Sequence, residues 1–360
     1  MLSEIHPRTV PYEFLGPPGD LNPTLLMLLT SIALIGGATL GYFLWGLPGW
    51  VTFVSNVLAL HLAGTVIHDA SHNVAHRDRI MNAVMGHVSG LILGFAFPVF
   101  TRVHMQHHAN VNDPKNDPDH FVSTCGPLWL IAPRFFYHEI FFFQRRLWRK
   151  FELLEWFLSR LTTAGIIWFA SSHGHLGYVM NYWFTPALVV GVALGLFFDY
   201  LPHRDFQERN RWKNARVYPS AMLNILILGQ NYHLIHHLWP SIPWYKVQPA
   251  YYAVKPLLDT KGSPQTLNIF NRQNIGSFLY DVLIGIRFHR AHIQSYTQRK
   301  QKICCSWKIS ISFQNCYANK RRKREKLLVS RQPIGRLSSI AFWKLENSCI
   351  ELMASDAEVF

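Results

Sequence analysis

Two long stretches of the chain contain no charged residue. Residues 21–68 lack Asp, Glu, Lys and Arg, and a Gly-Leu-Pro-Gly turn at 46–49 divides them into two apolar runs. Each run can cross a hydrocarbon core about 30 Å thick, which takes roughly 20 helical residues. Residues 161–198 are also free of charge, with a break near 171–177. The sequence therefore predicts an all-α integral membrane bundle of about four transmembrane helices, since a soluble domain of this size could hardly bury both stretches.

Three histidine clusters lie beside the apolar stretches. The spacing is His-x-x-x-His at 68–72 and His-x-x-His-His at both 104–108 and 233–237. Residues three and four apart share a helix face, so each cluster presents its rings together. The predicted metal ligands are His68, His72, His104, His107, His108, His233, His236 and His237. Because one ion needs only three or four protein ligands, this number favours two ions. Imidazole suits iron, copper and zinc, and a dry apolar setting favours oxygen chemistry at non-haem iron over hydrolysis.

The other histidines carry a weaker signal. His203, in a Tyr-Leu-Pro-His-Arg segment, and His76, one turn beyond the first cluster, are weaker candidates, and no role is predicted for His120. The rest are typical of packed or solvated side chains: His6, His61, His87, His138, His173, His175, His289 and His292.

Residues 80–100 are apolar enough to span a membrane, but a span would put the first two histidine clusters on opposite faces. A shared metal site forbids this. We therefore expect the segment to dip into the membrane and return, or to lie along the interface with its irregular backbone covered by protein, so that a histidine-rich helical cap faces the cytosol. Residues 121–143, rich in Phe and Trp, are expected to be interfacial as well.

Basic residues concentrate in the segments that flank the histidine clusters, whereas the two tight connections between spans have none. The positive-inside rule then places the clusters on the cytoplasmic or stromal side. An acidic electron-donor protein that docks on this basic face would explain the pattern, and topology control alone would explain it equally well.

The composition divides the chain into three parts. Residues 1–20 are a polar N-terminal segment without the basic start of a cleavable signal peptide, so we expect the first span to remain as an anchor. Residues 21–296 form the membrane domain. Residues 297–360 hold thirteen Lys or Arg, five Asp or Glu and four of the five cysteines, which is typical of a disordered extension or of a shifted reading frame. No nucleic-acid partner is predicted, and no disulfide framework.

The histidine clusters, together with residues 112–120 and 231–240, resemble the motifs of the membrane fatty acid desaturase and hydroxylase superfamily. More narrowly, residues 67–73, 95–104 and 200–204 resemble the cyanobacterial-type β-carotene hydroxylases, a group related to the bacterial carotenoid ketolases. The resemblance covers roughly residues 10 to 295.

This resemblance implies two iron ions held by the eight clustered histidines, with His203 matching a further ligand position of related desaturases. It implies O2 as co-substrate, electrons from a donor such as ferredoxin, and no catalytic residue beyond the metal ligands. Acidic side chains that could orient the ligands are Asp69, Asp117, Asp119, Asp199 and Asp205, and for each a helix-cap or turn role is equally open.

The implied reaction is insertion of oxygen into the C3–H bond of a β-ionone ring, which converts β-carotene through cryptoxanthin to zeaxanthin. A rigid polyene about as long as the hydrocarbon core is thick also suits histidines at the helix ends. The implied location is a thylakoid or plasma membrane of a cyanobacterium, or a plastid membrane. A fatty acid desaturase or hydroxylase and a carotenoid 4-ketolase remain alternatives. A metal transporter fits less well, because its ligands are expected midway along the spans.

Overall fold

The computed structural model describes residues 10–267, 269 and 272–285, and all regular structure within them is helical, as predicted. The tail at 297–360 lies outside the described residues. The helices are α1 (Pro23–Trp45), α2 (Gly49–Ser71), α3 (Arg79–Leu93), α4 (Phe97–Asn110), α5 (Pro118–Thr124), α6 (Ile131–Arg134), α7 (Tyr137–Gln144), α8 (Glu152–Ser172), α9 (Leu176–His203), α10 (Ala221–Leu226), α11 (His233–Leu238), α12 (Val247–Lys261) and α13 (Arg272–Leu283). Single 3-10 turns occur at Tyr12–Phe14, Leu128–Leu130, Gln230–Tyr232 and Trp244–Lys246.

The first two helices form the hairpin that the sequence predicts. The Asn22 side chain accepts a hydrogen bond from the Leu25 N–H, and a proline at the first helical position adds a preorganised start to α1. Gly46 ends α1 in the left-handed conformation, where a glycine carries no steric cost. The two helices also share a buried hydrogen bond from Ser31 Oγ to Ala59 O, the kind of polar contact that ties helices together in an apolar environment.

By length and composition, α1, α2 and α9 can cross a membrane, and the bent pair of α3 and α4 would make a fourth span among the described residues. The three to four candidates agree with the predicted total of about four, but the prediction took residues 161–198 as two spans, and α8 is not among these helices. It begins with Glu152 and Glu155, and Arg160 follows, so only its second half lies in the charge-free stretch.

The turn between α3 and α4 brings the second histidine cluster back to the first. The two helices are bent by 99°, at a left-handed Gly94. A side chain at Gly90 would meet the carbonyl oxygen of Phe95 at 2.7 Å, so glycine there lets the chain fold back closely. This geometry agrees with the expected dip and return, because His72 and His104 lie side by side in the folded chain.

A helical cap holds the third histidine cluster. The short helix α11 packs against α12 through a buried core that includes Leu234 and Ile235 on one helix and Val254 and Leu258 on the other. A left-handed Gly262 ends α12. The short α11 is thus stabilised by tertiary packing, since six residues form no stable helix alone.

Candidate metal centre

The predicted ligand histidines lie on or at the ends of four helices and come together at one end of the bundle. His68 and His72 lie at the end of α2, and His203 lies at the end of α9. The second cluster lies on α4 and the third on α11. All nine histidines predicted as ligands therefore meet at the end of the bundle opposite the two tight connections, and none lies midway along α1, α2 or α9.

The ring nitrogens form two groups of four. One group consists of His68, His72, His104 and His236, and the other of His107, His203, His233 and His237. Within each group the candidate ligand atoms lie within 4.8 Å of one another, close to the roughly 4 Å that two ligands about 2.1 Å from one ion span. His108 adds a further nitrogen beside the first group: its Nε2 lies 3.1 Å from His104 Nε2 and 2.9 Å from His236 Nε2. Its ring also stacks on that of His237, with 4.4 Å between the centroids.

Outer hydrogen bonds fix the tautomer of several rings. His107 Nδ1 lies 2.9 Å from Asp117 Oδ1, His203 Nδ1 lies 2.9 Å from the Asn214 carbonyl oxygen, and His233 Nδ1 lies 3.0 Å from Gln230 Oε1. Each partner is an acceptor, so each Nδ1 carries the proton and donates it. The Nε2 lone pair of each ring is then left for a metal ion.

The inward nitrogens face one another at short distances. His237 Nε2 lies 2.9 Å from His233 Nε2 and 3.3 Å from His107 Nε2, and the buried Nε2 of His203 has no hydrogen-bond partner among the described residues. Lone pairs that face each other repel unless a cation shares them. The donor set therefore fits metal ions, with neutral imidazoles as ligands.

Burial supports the neutral state in the third cluster. It lowers the pKa of His233, His236 and His237 well below the ordinary histidine value, and neighbouring imidazoles lower these pKa values further. A neutral imidazole is the form that binds a metal ion, so the cluster needs no deprotonation near neutral pH.

Two of the predicted acids contact the second cluster. Both carboxylate oxygens of Asp117 accept hydrogen bonds: Oδ1 from His107 Nδ1 and the Asp119 N–H, and Oδ2 from the Asn112 N–H. Asp119 lies 3.5 Å from His107 Nδ1 and accepts a 2.8 Å hydrogen bond from His138 Nε2. Asp117 is also the N-cap of α5, so it combines the cap role and the ligand-orienting role.

The other three predicted acids lie in different settings. Asp69 Oδ1 is 3.7 Å from His68 Nδ1, and Oδ2 accepts hydrogen bonds from Thr24 and from the Trp244 N–H. Asp199 is part of the wall of the cavity beside the histidines. Asp205 has a mostly exposed side chain, 3.9 Å from Arg216.

The sequence interpretation missed three partners of the cluster. Gln230 lies one turn before His233, a spacing that could have been recognised. The carbonyl oxygen of Asn214 has no sequence signal, because any residue type offers it. His138 was set aside as an isolated histidine, yet it is buried against Asp119. Of the two histidines left open, His76 binds the carbonyl oxygen of Asp20 and His120 lies near Thr124, both apart from the two groups.

An apolar cavity adjoins the histidines. It lies between α2 and α9, and aromatic side chains and four site histidines form much of its wall: Phe95, Phe100, Phe135, Phe198, His68, His104, His107 and His233. Gly64 is part of the wall, and an added Cβ there would meet Leu194 Cδ1 at 2.8 Å. The residues before His203 form a π-helical stretch, Gly195–Tyr200, a deviation that recurs at functional sites. The cavity suits an apolar molecule held next to the metal ligands.

The sequence pattern of the fatty acid desaturase family matches residues 44–267, more than half of the chain, and contains all nine histidines. The chain belongs to the fatty acid desaturase family. It is thus an integral membrane protein and an oxidoreductase of this superfamily, with a histidine centre able to bind metal.

Curated relatives of this family member are similar at low identity. A dihydrorhizobitoxine desaturase from Bradyrhizobium elkanii is 28% identical over 52% of this chain and 62% of its own length. A β-carotene ketolase from Paracoccus sp. strain PC1 is 29% identical over 51% of this chain and 70% of its own length. A second one, from Paracoccus sp. strain N81106, is 27% identical over 64% of this chain and 93% of its own length. The chain thus spans under two thirds of the first relative and most of the two ketolases.

Proposed function

We propose that the two histidine groups hold two iron ions, with His108 as an additional ligand beside the first group. The support is the donor set: nine imidazoles whose inward lone pairs converge, several with their outer nitrogens fixed by acceptors. Iron, when bound, supplies reductive activation of O2. The remaining functions belong to the chain itself, which orients the ligands, excludes water and positions the substrate.

We propose further that the substrate is a carotenoid and that the reaction is hydroxylation at C3 of a β-ionone ring. The observation that carries this proposal is the apolar cavity lined by phenylalanines beside the histidines and between two apolar helices. The reaction balances as R–H + O2 + 2 electrons + 2 protons giving R–OH + H2O. The rigid ring would lie among the aromatic side chains, and the polyene would remain between helices or in lipid.

Ring ketolation at C4 is the second candidate. This chain aligns with most of the length of two β-carotene ketolases from Paracoccus. It is also 23% identical to a zeaxanthin 4-ketolase from Chlamydomonas reinhardtii, over 44% of the length of that protein. Hydroxylation and ketolation both begin with oxygen insertion at a ring C–H bond. The two differ in which ring carbon the cavity presents, so product analysis distinguishes them.

We propose that the centre faces the cytoplasm or the stroma of a cyanobacterial or plastid membrane and takes electrons from an acidic carrier such as ferredoxin. The basic segments around the histidines support this orientation, since positively charged loops stay on the cytoplasmic side. Carotenoid and membrane lipid would be the other partners.

The test is pigment analysis of cells that accumulate β-carotene and express the full chain, together with a ferredoxin and its reductase. We expect cryptoxanthin and zeaxanthin, and their loss in His107→Ala. The matched control is His173→Ala, at an exposed histidine before α9 at the opposite end of the bundle, which should keep full activity.

Other outcomes redirect or reject the proposal. A 4-keto product would assign ring ketolation, and unchanged β-carotene with a new double bond or hydroxyl in acyl lipids would assign a fatty acid substrate. A purified, folded protein that binds no iron would reject the metal centre itself.

A further inference from the structure

We propose that an acidic one-electron carrier protein docks over Trp212, on a surface formed by Arg211, Trp212, Lys213 and Lys261, which we call the Trp212 surface. This inference rests on the proposed function, because only a metal centre that activates O2 requires electrons. It goes beyond that function by naming one docking site within the basic side of the protein.

The Trp212 surface carries unneutralised positive charge. The Arg211 guanidinium lies 5.5 Å and the Lys261 ammonium 5.6 Å from the centroid of the Trp212 ring, so the indole is flanked by two cations. Arg211, Lys213 and Lys261 are exposed, and none of them takes part in an ion pair within the part of the chain that the structure describes.

Nearby charges do not cancel this surface. Asp259, two residues before Lys261, is already bound by Lys255 and Gln265. Arg209, by contrast, is neutralised by Asp113 at 3.1 Å. Free cations around a partly exposed aromatic ring provide a complementary surface for a carrier with carboxylates around its redox centre.

The Trp212 surface also lies close to the histidines. The Trp212 ring packs edge-on against Trp239, with 6.2 Å between the centroids. Trp239 is buried and follows His237 by two residues, so the two Cα atoms are at most about 7.6 Å apart. A carrier that docks over Trp212 is therefore separated from the third histidine cluster by two indole rings and the short helix α11.

Substrate and electrons would arrive by different routes. The wall of the apolar cavity, as far as the described residues define it, contains neither Trp212 nor Trp239. Donor binding therefore need not displace a carotenoid.

The chain offers a matched control for this surface. Lys150 also lies over an exposed aromatic ring, with its Nζ 5.5 Å from the Phe151 centroid. Phe151 precedes α8 and is 63% exposed, so the same cation and ring chemistry is present away from Trp239. Reversing the charge of Lys150 tests whether any basic residue has the same effect.

The experiment compares Arg211→Glu/Lys261→Glu with Lys150→Glu in the full, iron-loaded chain in nanodiscs of zwitterionic lipid. The probe is a reduced acidic [2Fe–2S] ferredoxin, and two quantities are measured: its dissociation constant and the rate at which it reduces the iron. At low salt we expect the double variant to lose about tenfold or more in both, with the loss shrinking as salt screens the charges. Lys150→Glu should stay within about twofold of the wild type.

Reduction by dithionite, which needs no docking, shows whether the centre is intact. The Trp212 surface is supported if dithionite reduces the double variant normally, whereas ferredoxin binds it more weakly and reduces it more slowly. Equal effects of both variants, or no effect of either, overturn it while leaving the iron centre in place. A double variant that loses only its binding to anionic vesicles also overturns it, because the surface would then contact lipid headgroups. A wild type without reducible iron refutes the proposed function, and ferredoxin binding still tests the surface.

Discussion

We expect Asp117→Asn to weaken iron binding by the His107 group about 10- to 100-fold. The Asp117 carboxylate lies 2.9 Å from His107 Nδ1, keeps the proton on that nitrogen and directs the Nε2 lone pair inward. A neutral amide holds the ring less firmly and lowers its basicity. The expected loss equals about 1.4 to 2.8 kcal/mol of binding free energy.

The same substitution has a separate effect on folding. Asparagine is as good an N-cap as aspartate, so α5 should still begin at the same place. Asp117 accepts from three N–H groups with two oxygens, and an asparagine has only one oxygen. The N–H group of Asn112 would lose its acceptor, which costs about 1 to 3 kcal/mol of unfolding free energy. Thermal unfolding of the metal-free protein measures the effect on folding separately from iron binding.

The assay is iron content after equilibration with a graded series of chelator concentrations. The control is Asp113→Asn in the same loop, whose carboxylate accepts from the Lys115 N–H and pairs with Arg209. We expect the control to retain iron like the wild type. Iron binding by Asp117→Asn within about twofold of the control would refute the argument that this carboxylate orients a ligand.

Three further predictions follow from the site. His203→Ala should lose about one of two irons while His76→Ala keeps both, and equal iron contents in the two variants would contradict the ligand role of His203. Gly64→Val should block the cavity against Leu194, so product formation falls about tenfold or more at unchanged iron content, and full turnover would show that substrate binds elsewhere. Because the third-cluster pKa values are lowered, iron should stay bound as the pH falls through about 6.5. Over the same range the metal-free protein should lose stability, since unfolded histidines take up protons that the buried ones do not. Iron release above that pH, or a pH-independent melting temperature, would contradict this.

The sequence predicts those parts of the structure that depend on periodicity and charge. Residues 21–68 lack charge and contain one turn, and they form the α1–α2 hairpin as expected. The i, i+4 spacing of the first cluster and the i, i+3, i+4 spacing of the other two place each cluster on one helix face, and all nine histidines come together. The requirement for a shared site also anticipated that residues 80–100 would turn back.

Other parts of the structure could not be predicted from the sequence because they depend on tertiary contacts. The boundaries of α8 follow packing as well as composition, so it begins nine residues before the charge-free stretch at Leu161. The carbonyl oxygen of Asn214 orients His203 regardless of the side chain at that position. The 99° bend at Gly94 depends on how closely Gly90 approaches Phe95, which no local pattern encodes.

The equal length of the first two helices has a mechanical consequence. At 1.5 Å per residue, the 23 residues of α1 and of α2 each extend about 35 Å, slightly more than an average hydrocarbon core. The fixed length of α2 would therefore place the histidines at its end near the boundary between the hydrocarbon core and the headgroups. In a thinner bilayer the cavity would lie closer to water, so that protons would reach the metal centre when no substrate is bound. In a thicker bilayer the Trp212 surface would lie closer to the lipid headgroups. The acyl-chain length of the surrounding lipid would then change the ratio of electrons consumed to product formed.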